Sequence, residues 1–542
     1  MSEVITIQCG HYSNFIGTHL WNLQESSFEY DLASQEPREI ITDVTFREGR
    51  TLRGEHTYTP RLIALDLPGS LSTLREEGML YQPAAGSQGN SQWSGGVVKE
   101  VREGAVKNEF LSHLEEVEAG QRAIKEVDDG QYDLSSNVEV WSDFLRLHLH
   151  PNSLLMVPGH SHPESEGGFD TYPAGLNVWE DKTFRDSFED KLHFFSEECD
   201  HLQGFQLLVD WDGGFGGVAS GIAMEIADEY SSKGLFTLLA SPLTQPLDKL
   251  PKFRPLLLNH CLSLSALCEH SSLVCPLSQL ENSLRTPQSS GTLCRRMPQL
   301  RYEPSLAYHS SCLFGTGLDT LSLLYRTEQS PTSLSSLSAA LAQRGRKVCS
   351  MSLSLPLSLP SGTAVLTELD HTPLHARLHP LTPFCNQVDN RVWSQAIALR
   401  GIPSNYQLCP KEDPRYLDTH RHASHTLAHH LSQYLPSDVS TQLCIVGRPL
   451  LIKPPYPRIL SEEYHKNQQA PVCASLQSDP NLHQLLSTLT SELCSTNVTR
   501  YSAYSTTCLD EDSRLELTSD LSTLTDCYRT RMNPDSGSTD SD

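Results

Sequence analysis

The pattern of apolar and polar positions at the start of the chain predicts a strand, a tight loop and a helix. Residues 4–9 form a mostly apolar run that ends before Gly10. A helix follows, because the next apolar residues recur at helical spacing, at Ile16, Leu20 and Leu23. A second apolar run at 62–65 ends at Asp66 and leads into a Pro-Gly turn. The chain therefore opens with alternating strands and helices.

The clearest supersecondary unit lies near residue 210. A helix with an apolar face over 184–199 precedes it. A strand at 205–210 is followed by a Gly-rich loop at 212–217, a helix with an apolar face over 222–230, and a second strand at 235–239. A strand, helix and strand in this order predict a βαβ unit, whose strands are parallel and joined by a right-handed crossover.

The second half of the chain predicts a mixed sheet followed by helices. Apolar residues alternate over 348–359, and β-like runs follow at 395–399 and 472–476. Leucines at helical spacing then mark two helices, over 482–493 and 517–528. The predicted fold class is α/β, divided into an N-terminal parallel-sheet domain at 1–77 and 139–265, a smaller mixed α+β domain at 266–477, C-terminal helices at 478–530 and a disordered acidic tail at 531–542.

Residues 78–138 differ from the rest of the N-terminal domain. They begin with a Gly-, Ser- and Gln-containing stretch and continue with a Glu-rich one. Little of this segment has the periodicity of a buried face, so we expect an acidic, mostly exposed insertion that folding does not require. It would be either a spacer or a partner-binding loop.

The charge of the chain limits the surfaces that it can bind. Lys plus Arg is 41 and Asp plus Glu is 66, which gives a formal net charge of -25. This charge opposes binding to nucleic acid and to anionic lipid, so we expect protein partners. The sequence shows no signal or transit peptide and no apolar run that could span a bilayer. The 15 cysteines form no CxxC pair, which favours reduced thiols in the cytosol.

A Gly-rich loop between a strand and a helix is a candidate phosphate site. Gly214, Gly216 and Ala219 fit the short dinucleotide fingerprint G-x-G-x-x-A. That fingerprint belongs to an opening βαβ unit whose second strand ends near an acidic residue. The strand here ends in Ala240-Ser241-Pro242, so the context argues against an NAD- or FAD-dependent enzyme.

Longer segments resemble tubulin. Residues 198–206 resemble the stretch before the glycine-rich signature loop of tubulin, and residues 7–17 resemble its first nucleotide loop. Residues 58–67 resemble the stretch that leads to the third loop, and residues 393–401 resemble a C-terminal-domain strand that ends in Arg-Gly. The resemblance extends over most of the chain and is interrupted by the insertion.

Other segments are more similar to the Misato family than to tubulin itself. They are Gly10-His11 with Phe15, the stretch from Trp141 to Pro151, and the stretch from His270 to Ser278. This resemblance implies a tubulin-like protein that regulates mitochondrial distribution, morphology and network fusion. It implies a cytoplasmic location with peripheral association at the mitochondrial outer membrane, and partner proteins at that surface or in the cytoskeleton. The alternative that it implies is a GTP-binding protein or GTPase with a role in spindle organisation and chromosome segregation.

By the same resemblance, nine residues would contact guanine nucleotide: Gly10, His11, Asn14, Asp66, Gly213, Gly214, Gly216, Gly217 and Asn259. Three substitutions argue against such binding. Asp212 places a carboxylate where phosphate oxygens would lie, Phe215 replaces a hydroxyl donor, and Val218 adds bulk. Each lost charge-assisted contact costs about 1.5–3 kcal/mol. We therefore expect a retained fold with a degraded site, no catalytic residue and no required cofactor; guanine nucleotide is the cofactor that the alternative needs.

Two other groups of residues do not indicate a binding site. The five histidines between 420 and 430 include His425 and His429 at helical spacing, but no third ligand is evident, so we expect no metal site. Cys261, Cys268 and Cys275 recur every seven residues, which favours burial in a core.

Overall fold

The computed structural model describes residues 2–28, 39–50, 56–76, 78, 80, 107–162, 168–243, 253–281, 294–327, 332–357, 368–369, 371–385, 392–401 and 439–529. The histidine group at 420–430, the tail at 531–542 and the Gly/Ser/Gln stretch of the insertion lie outside these residues.

A six-stranded parallel sheet forms the N-terminal part of the fold. The first eight strands of the chain are β1 (Glu3–Cys9), β2 (Phe46–Arg50), β3 (His56–Pro60), β4 (Leu62–Asp66), β5 (Leu154–Met156), β6 (Leu202–Asp210), β7 (Gly234–Ser241) and β8 (Leu273–Ser278). The order across the parallel sheet is β5-β4-β1-β6-β7-β8, and β2 and β3 form a separate antiparallel hairpin. Strands β1, β4 and β7 are buried along their whole length, as expected of parallel strands covered on both faces.

Helices cover both faces of this sheet. In the described part they are α1 (His11–Ser26), α2 (Glu109–Glu118), α3 (Ile124–Asp128), α4 (Tyr172–Glu180), α5 (Lys182–Glu197), α6 (Gly214–Glu229) and α7 (Phe253–His270). Alternate residues of β1 belong to different cores. Val4 packs in the core that contains α1, whereas Ile5 and Ile7 pack in the core that contains α4 to α7.

The C-terminal part contains a mixed five-stranded sheet and a set of terminal helices. Its elements are α8 (Ala307–Arg326), α9 (Leu334–Leu341), β9 (Ser350–Ser354), β10 (His379–Pro380), β11 (Ser394–Arg400), β12 (Ser440–Val446), β13 (Leu450–Leu451), α10 (Glu462–Asn467), β14 (Gln469–Ala470), β15 (Val472–Ser478), α11 (Leu482–Cys494), α12 (Ser502–Ser505) and α13 (Glu511–Cys527). The sheet order is β10-β9-β15-β11-β12, with β11 and β12 parallel. The predicted α/β fold with a parallel sheet, a mixed sheet and C-terminal helices is confirmed.

Helix α8 joins the two sheets and contains a buried charged group. It packs against α1 on one side and against β11 and β15 on the other. Asp319 on α8 is 2% exposed and accepts hydrogen bonds from Arg326, at 3.1 Å, and from Arg400 at the end of β11, at 2.7 Å. Replacing Asp319 or either arginine would be costly, because the remaining charges would stay buried without a partner.

In the part of the insertion that the structure describes, most residues are exposed or half-buried, as expected, but the expectation that the segment contributes little to a core is wrong. Residues 107–138 form α2 and α3, and Phe110, Val127 and Leu134 are buried in the core that contains α1. Asn108 caps α2 by accepting a hydrogen bond from the Leu111 amide at 2.9 Å. The sequence pattern failed here because the apolar residues of this short segment are too few to show a period, yet each one fills a site on a neighbouring element.

Two further findings concern the described residues alone. No helix among them combines the length and the apolar character needed to span a membrane. The cysteines among them are all free thiols, and Cys261, Cys268 and Cys275 are buried, as expected of core residues.

Candidate functional site

The parallel sheet has one point at which a ligand crevice is expected. From β1 the chain adds β4 and β5 on one side, and β6, β7 and β8 on the other, so the strand order reverses between β1 and β6. Ligands of open α/β sheets bind outside the carboxyl ends of the strands at such a switch point. Helix α1 starts just after β1, at His11, and helix α6 starts just after β6, at Gly214.

The side chain of Asp210 lies in this crevice, on the first turn of α1. One carboxylate oxygen accepts a hydrogen bond from the Tyr12 amide at 2.7 Å. The other accepts from the Ser13 amide at 2.8 Å and from the Ser13 hydroxyl at 2.6 Å. The amides at the start of a helix carry partial positive charge and attract anions. In this protein the anion is a side chain of the neighbouring strand.

Gly10 makes room for this contact. It has a φ of 127°, and a Cβ atom at this position would overlap the carboxyl group of Asp210. Its amide donates to the Leu65 carbonyl at 3.1 Å. A positive φ favours glycine, so both the backbone conformation and the approach of Asp210 require glycine here.

A second carboxylate, Asp66 at the end of β4, is the centre of a hydrogen-bond group. Its Oδ2 atom accepts from the Trp141 indole at 2.8 Å and from the side-chain amide of Asn14 at 3.1 Å, and lies 3.1 Å from His11 Nδ1. Its Oδ1 atom accepts from the Leu67 amide at 2.8 Å. Burial opposes ionisation of both Asp66 and His11, but their contact with each other prevails: it lowers the pKa of Asp66 and raises the pKa of His11. Both shifts favour the ionised forms, and so favour an ion pair between the two side chains.

Aromatic side chains fill the groove between α1 and α8 beside the switch point. We call Phe15, His19, Phe144 and Tyr308 the aromatic plug; all four are buried. The Phe144 ring centroid lies 5.6 Å from that of Phe15, 4.7 Å from that of His19 and 5.0 Å from that of Tyr308. Phe144 belongs to the short 3₁₀ helix Trp141–Phe144, whose first residue binds Asp66. This one turn therefore contacts both the carboxylate group and the plug.

Histidine side chains close the outer part of the crevice. The His11 ring stacks on the His162 ring with centroids 4.2 Å apart, and it meets the edge of Phe15 at 5.3 Å. Partial burial, with His11 as a neighbour, lowers the pKa of His162. The His11 side chain is therefore in contact with Asp66, Phe15 and His162.

The glycines of the Gly-rich loop allow α4 to pack closely on α6. A Cβ atom at Gly214 would lie 2.8 Å from the Phe169 ring, one at Gly216 would overlap the Ser263 hydroxyl, and one at Gly217 would overlap the Tyr172 carbonyl. Gly213 is similarly close to Phe169, at 2.8 Å from its carbonyl oxygen. The Gly214 amide donates to that carbonyl at 2.9 Å. The segment before α4 thus lies over the start of α6.

The Asn259 side chain holds four segments of the chain together. Its oxygen accepts from the Tyr172 amide at 2.8 Å and from the Tyr504 hydroxyl at 2.7 Å. Its amide group donates to the Asp170 carbonyl at 2.9 Å and to the Asp212 carbonyl at 2.6 Å. An asparagine side chain has two donors and two acceptor positions, so all are used within the protein.

Comparison with known proteins agrees with this architecture. Residues 2–116 match the family model of the Misato Segment II tubulin-like domain, and residues 132–327 match that of a tubulin domain. The chain is 32% identical to protein misato homolog 1 of Homo sapiens, over 97% of this chain and 98% of the relative. It is 33% identical to protein misato homolog 1 of Danio rerio, over 100% and 99%, and 33% identical to protein misato of Drosophila melanogaster, over 76% and 74%. The chain belongs to the Misato family.

The crevice of this Misato-family protein does not fit a nucleotide phosphate. A phosphate at the start of α1 would have to displace Asp210 from the Tyr12 and Ser13 amides. It would also add negative charge where the charge of Asp66 is felt, and like charges repel. At the start of α6, the Phe169 carbonyl already accepts from the Gly214 amide.

The nine residues expected to contact nucleotide are only partly brought together. Gly10, His11, Asn14 and Asp66 meet around the carboxylates of the crevice. The four glycines of the loop pack against residues 169–172 and Ser263, and Asn259 is committed to other parts of the chain. Their assignment to nucleotide stays a prediction. Among the described residues, no group of His, Cys, Asp and Glu side chains is arranged to hold a metal ion.

Sequence reasoning missed the residues that decide the character of this site: Asp210, Trp141, Phe144 and Phe169. Asp210 ends the predicted strand at 205–210, and a carboxylate two residues before a Gly-rich loop is the signal in the sequence that points to it. Trp141 and Phe144 lie in the stretch from Trp141 to Pro151, whose resemblance to the Misato family does not indicate what these two side chains contact. Asp212, which was expected to repel phosphate, lies 2.7 Å from His260 Nε2 and accepts from Ser241 at 2.5 Å.

Proposed function

We propose that the protein is a non-enzymatic, tubulin-like regulator of mitochondrial distribution, morphology and network fusion. The mitochondrial part of this proposal is supported by membership in the Misato family, because the resemblance to that family implies this role. The segments that carry the resemblance are Gly10-His11, 141–151 and 270–278. The non-enzymatic part rests on the crevice, where the chain's own side chains meet each other. Function lies in such a site and does not follow from the fold.

The aromatic plug is the observation that carries the proposal. Phe15, His19, Phe144 and Tyr308 are each at most 5% exposed and their rings contact one another between α1 and α8. A base or ribose in this groove would have to expel close-packed rings, and a buried aromatic side chain is worth several kcal/mol, about 3–5 for Phe truncated to Ala. The plug therefore favours a structural role over the alternative, a GTPase acting in spindle organisation and chromosome segregation.

We further propose that the protein is cytoplasmic and that a fraction is held on the mitochondrial outer membrane by other proteins there or in the cytoskeleton. The net charge of -25 supports attachment through protein. Each Lys or Arg near an anionic bilayer contributes about 1 kcal/mol to binding, and excess acid opposes it. The same charge argues against nucleic acid as a partner.

Depletion of the protein from cells of its own organism tests this proposal. We expect the mitochondrial network, imaged with a matrix fluorophore, to become less connected and unevenly distributed, and re-expression of the chain to restore it. In fractionated cells, the mitochondrial portion should be released by alkaline carbonate and digested by protease added to intact mitochondria. An integral outer-membrane protein and a matrix protein are the controls for the two treatments.

Two outcomes would contradict the proposal. A network of normal connectivity and distribution after complete depletion would exclude the mitochondrial role. Resistance to carbonate together with protection from protease would place the protein inside the organelle and overturn the proposed peripheral location.

A further inference from the structure

We propose that Asp210 is the built-in anion of this fold: its carboxylate takes the place of a bound phosphate at the start of α1 and excludes free anions from the crevice. This inference rests on the proposed function, because it explains how a tubulin-like crevice would keep its structure without nucleotide.

The geometry of the contact is that of a bound oxyanion. Both carboxylate oxygens are used, and three donors converge on them from two consecutive residues, Tyr12 and Ser13, at 2.6–2.8 Å. Two of the donors are backbone amides of the first turn of α1, which are without partners inside the helix. Asp210 therefore supplies the hydrogen-bond acceptors and, once it is ionised, the negative charge that this helix end attracts.

The placement of Asp210 depends on the switch point of the sheet. It is the last residue of β6, and β6 pairs along its length with β1, whose last residue is followed by Gly10 and α1. A side chain at the end of one strand is thereby directed to the start of the helix that follows the other strand. Gly10 is the independent sign of this arrangement, since any Cβ atom there would collide with the carboxyl group of Asp210.

An attached anion has an advantage over a free one. Because Asp210 is part of the chain, its carboxylate is present at a high effective concentration and loses little freedom on binding. A free phosphate would have to compete with it and accept the neighbouring charge of Asp66, whose own positive partner is His11. Removal of the Asp210 carboxylate should therefore open a small anion site, whereas the aromatic plug would still exclude a base.

Chemical rescue with formate tests this inference. Asp210→Ala removes the carboxylate and leaves the amides of Tyr12 and Ser13 without it, so we expect a lower melting temperature than that of the unaltered protein. At about pH 8, where carboxyl groups are ionised, sodium formate should raise the melting temperature of Asp210→Ala by several degrees more than sodium chloride of equal ionic strength. A ligand that binds only the folded state has this effect. The unaltered protein should show no such difference.

Leu208→Ala is the matched control. Leu208 is buried on the same strand, in the core that contains α1, so its truncation destabilises the protein without removing a carboxylate. We expect formate and chloride to affect this variant equally. If Asp210→Ala does not fold, Asp210→Ser replaces it, and the formate-specific rise is expected there as well.

The outcomes separate this inference from the proposed function. Equal effects of formate on Asp210→Ala, Leu208→Ala and the unaltered protein would overturn the built-in anion, even if no nucleotide were found. Stabilisation of the unaltered protein by inorganic phosphate, with Asp210 in place, would overturn it too. Guanine nucleotide released from the purified, unaltered protein would overturn both the built-in anion and the non-enzymatic role, whereas a normal mitochondrial network after depletion would overturn the proposed function alone.

Discussion

At the scale of single residues, the crevice is a place where carboxyl groups are held in contrasting environments. Asp66 has a charged partner in His11 and several donors, and its pKa is lowered. Asp210 has hydrogen-bond donors but no ion-pair partner among the described residues, and burial, with the Asp66 carboxylate, raises the pKa of Asp210 to about 7. Asp66 thus loses its proton more readily than Asp210 does, and Asp210 becomes an anion as the pH rises through about 7.

This difference predicts a pH dependence of stability. The folded protein holds the Asp210 proton more tightly than the unfolded chain does, because its pKa is raised from 3.8 to about 7. The resulting stabilisation is complete below the unfolded pKa and is lost as the pH rises through the folded one. Between about pH 5.5 and pH 8 the free energy of unfolding should therefore fall by roughly 1–2 kcal/mol more in the unaltered protein than in Asp210→Asn, which cannot titrate.

Denaturant unfolding of both proteins across this pH range gives the measurement. His11, whose pKa is also raised, and Asp66 are present in both proteins, so only the part of the His11 shift that the Asp210 charge causes differs between them. A parallel pH dependence of the two proteins would show that Asp210 does not titrate in this window.

At the scale of elements, α2 and α3 act as a strap between the two halves of the fold. The Asp128 carboxylate at the end of α3 is 3.0 Å from Arg146 Nη1 and 2.9 Å from Lys453 Nζ. The Asp128 carbonyl accepts from the Gln468 side chain at 2.9 Å. Lys453 and Gln468 flank the short β13–β14 pairing of the C-terminal part. The strap thus connects the segment after the insertion with an element more than 300 residues away along the chain.

We therefore expect that the described part of the insertion contributes to stability. Phe110 on α2 is fully buried and meets the Tyr132 ring edge-on at 5.4 Å. Phe110→Ala should lower the free energy of unfolding by about 3–5 kcal/mol. Glu126→Ala, at an exposed position of α3, should change it by less than about 0.5 kcal/mol.

Denaturant midpoints of both variants, and of a chain in which a short Gly/Ser linker replaces residues 107–138, would test this expectation. A linker variant with an unchanged midpoint would restore the view that the insertion is dispensable.

At the scale of the whole molecule, the two sheets share one central helix, and this arrangement bears on assembly. Assembly-activated hydrolysis in tubulin needs a loop that is not recognisable in this sequence, and Asp319 on α8 does not by itself indicate one. Asp319 is buried between Arg326 and Arg400. A carboxylate so enclosed within its own chain is unsuited to reach the nucleotide of another copy.

We expect the purified protein to carry no guanine nucleotide, and its GTP turnover not to rise with protein concentration. The reasons are that Asp210 occupies the amides at the start of α1 and that Asp319 is buried. Acid release followed by chromatography measures the nucleotide content, and phosphate release over a range of protein concentrations measures turnover. Stoichiometric GDP, or a turnover per molecule that climbs steeply with concentration, would contradict this expectation.

The sequence by itself determined the class and order of the main elements. Apolar runs such as 205–210 and leucines at helical spacing such as those of 482–493 are local signals, because burial of one face imposes its period on the chain. The glycines between 213 and 217 are also evident from the sequence, but glycine can serve either close packing or anion binding. Only the tertiary contacts with Phe169 and Tyr172 show that these glycines allow close packing.

Only the tertiary structure decided what occupies the crevice. Asp210 and Ser13 are 197 positions apart, and Trp141 and Asp66 are 75 apart. Their contacts follow from the strand order β5-β4-β1-β6, which places the ends of non-consecutive strands side by side. A local pattern records whether a residue is buried and on which face, but not which distant residue it meets. The sequence therefore determined which strands and helices surround the site. The pairing of the strands determined that the protein's own side chains fill it.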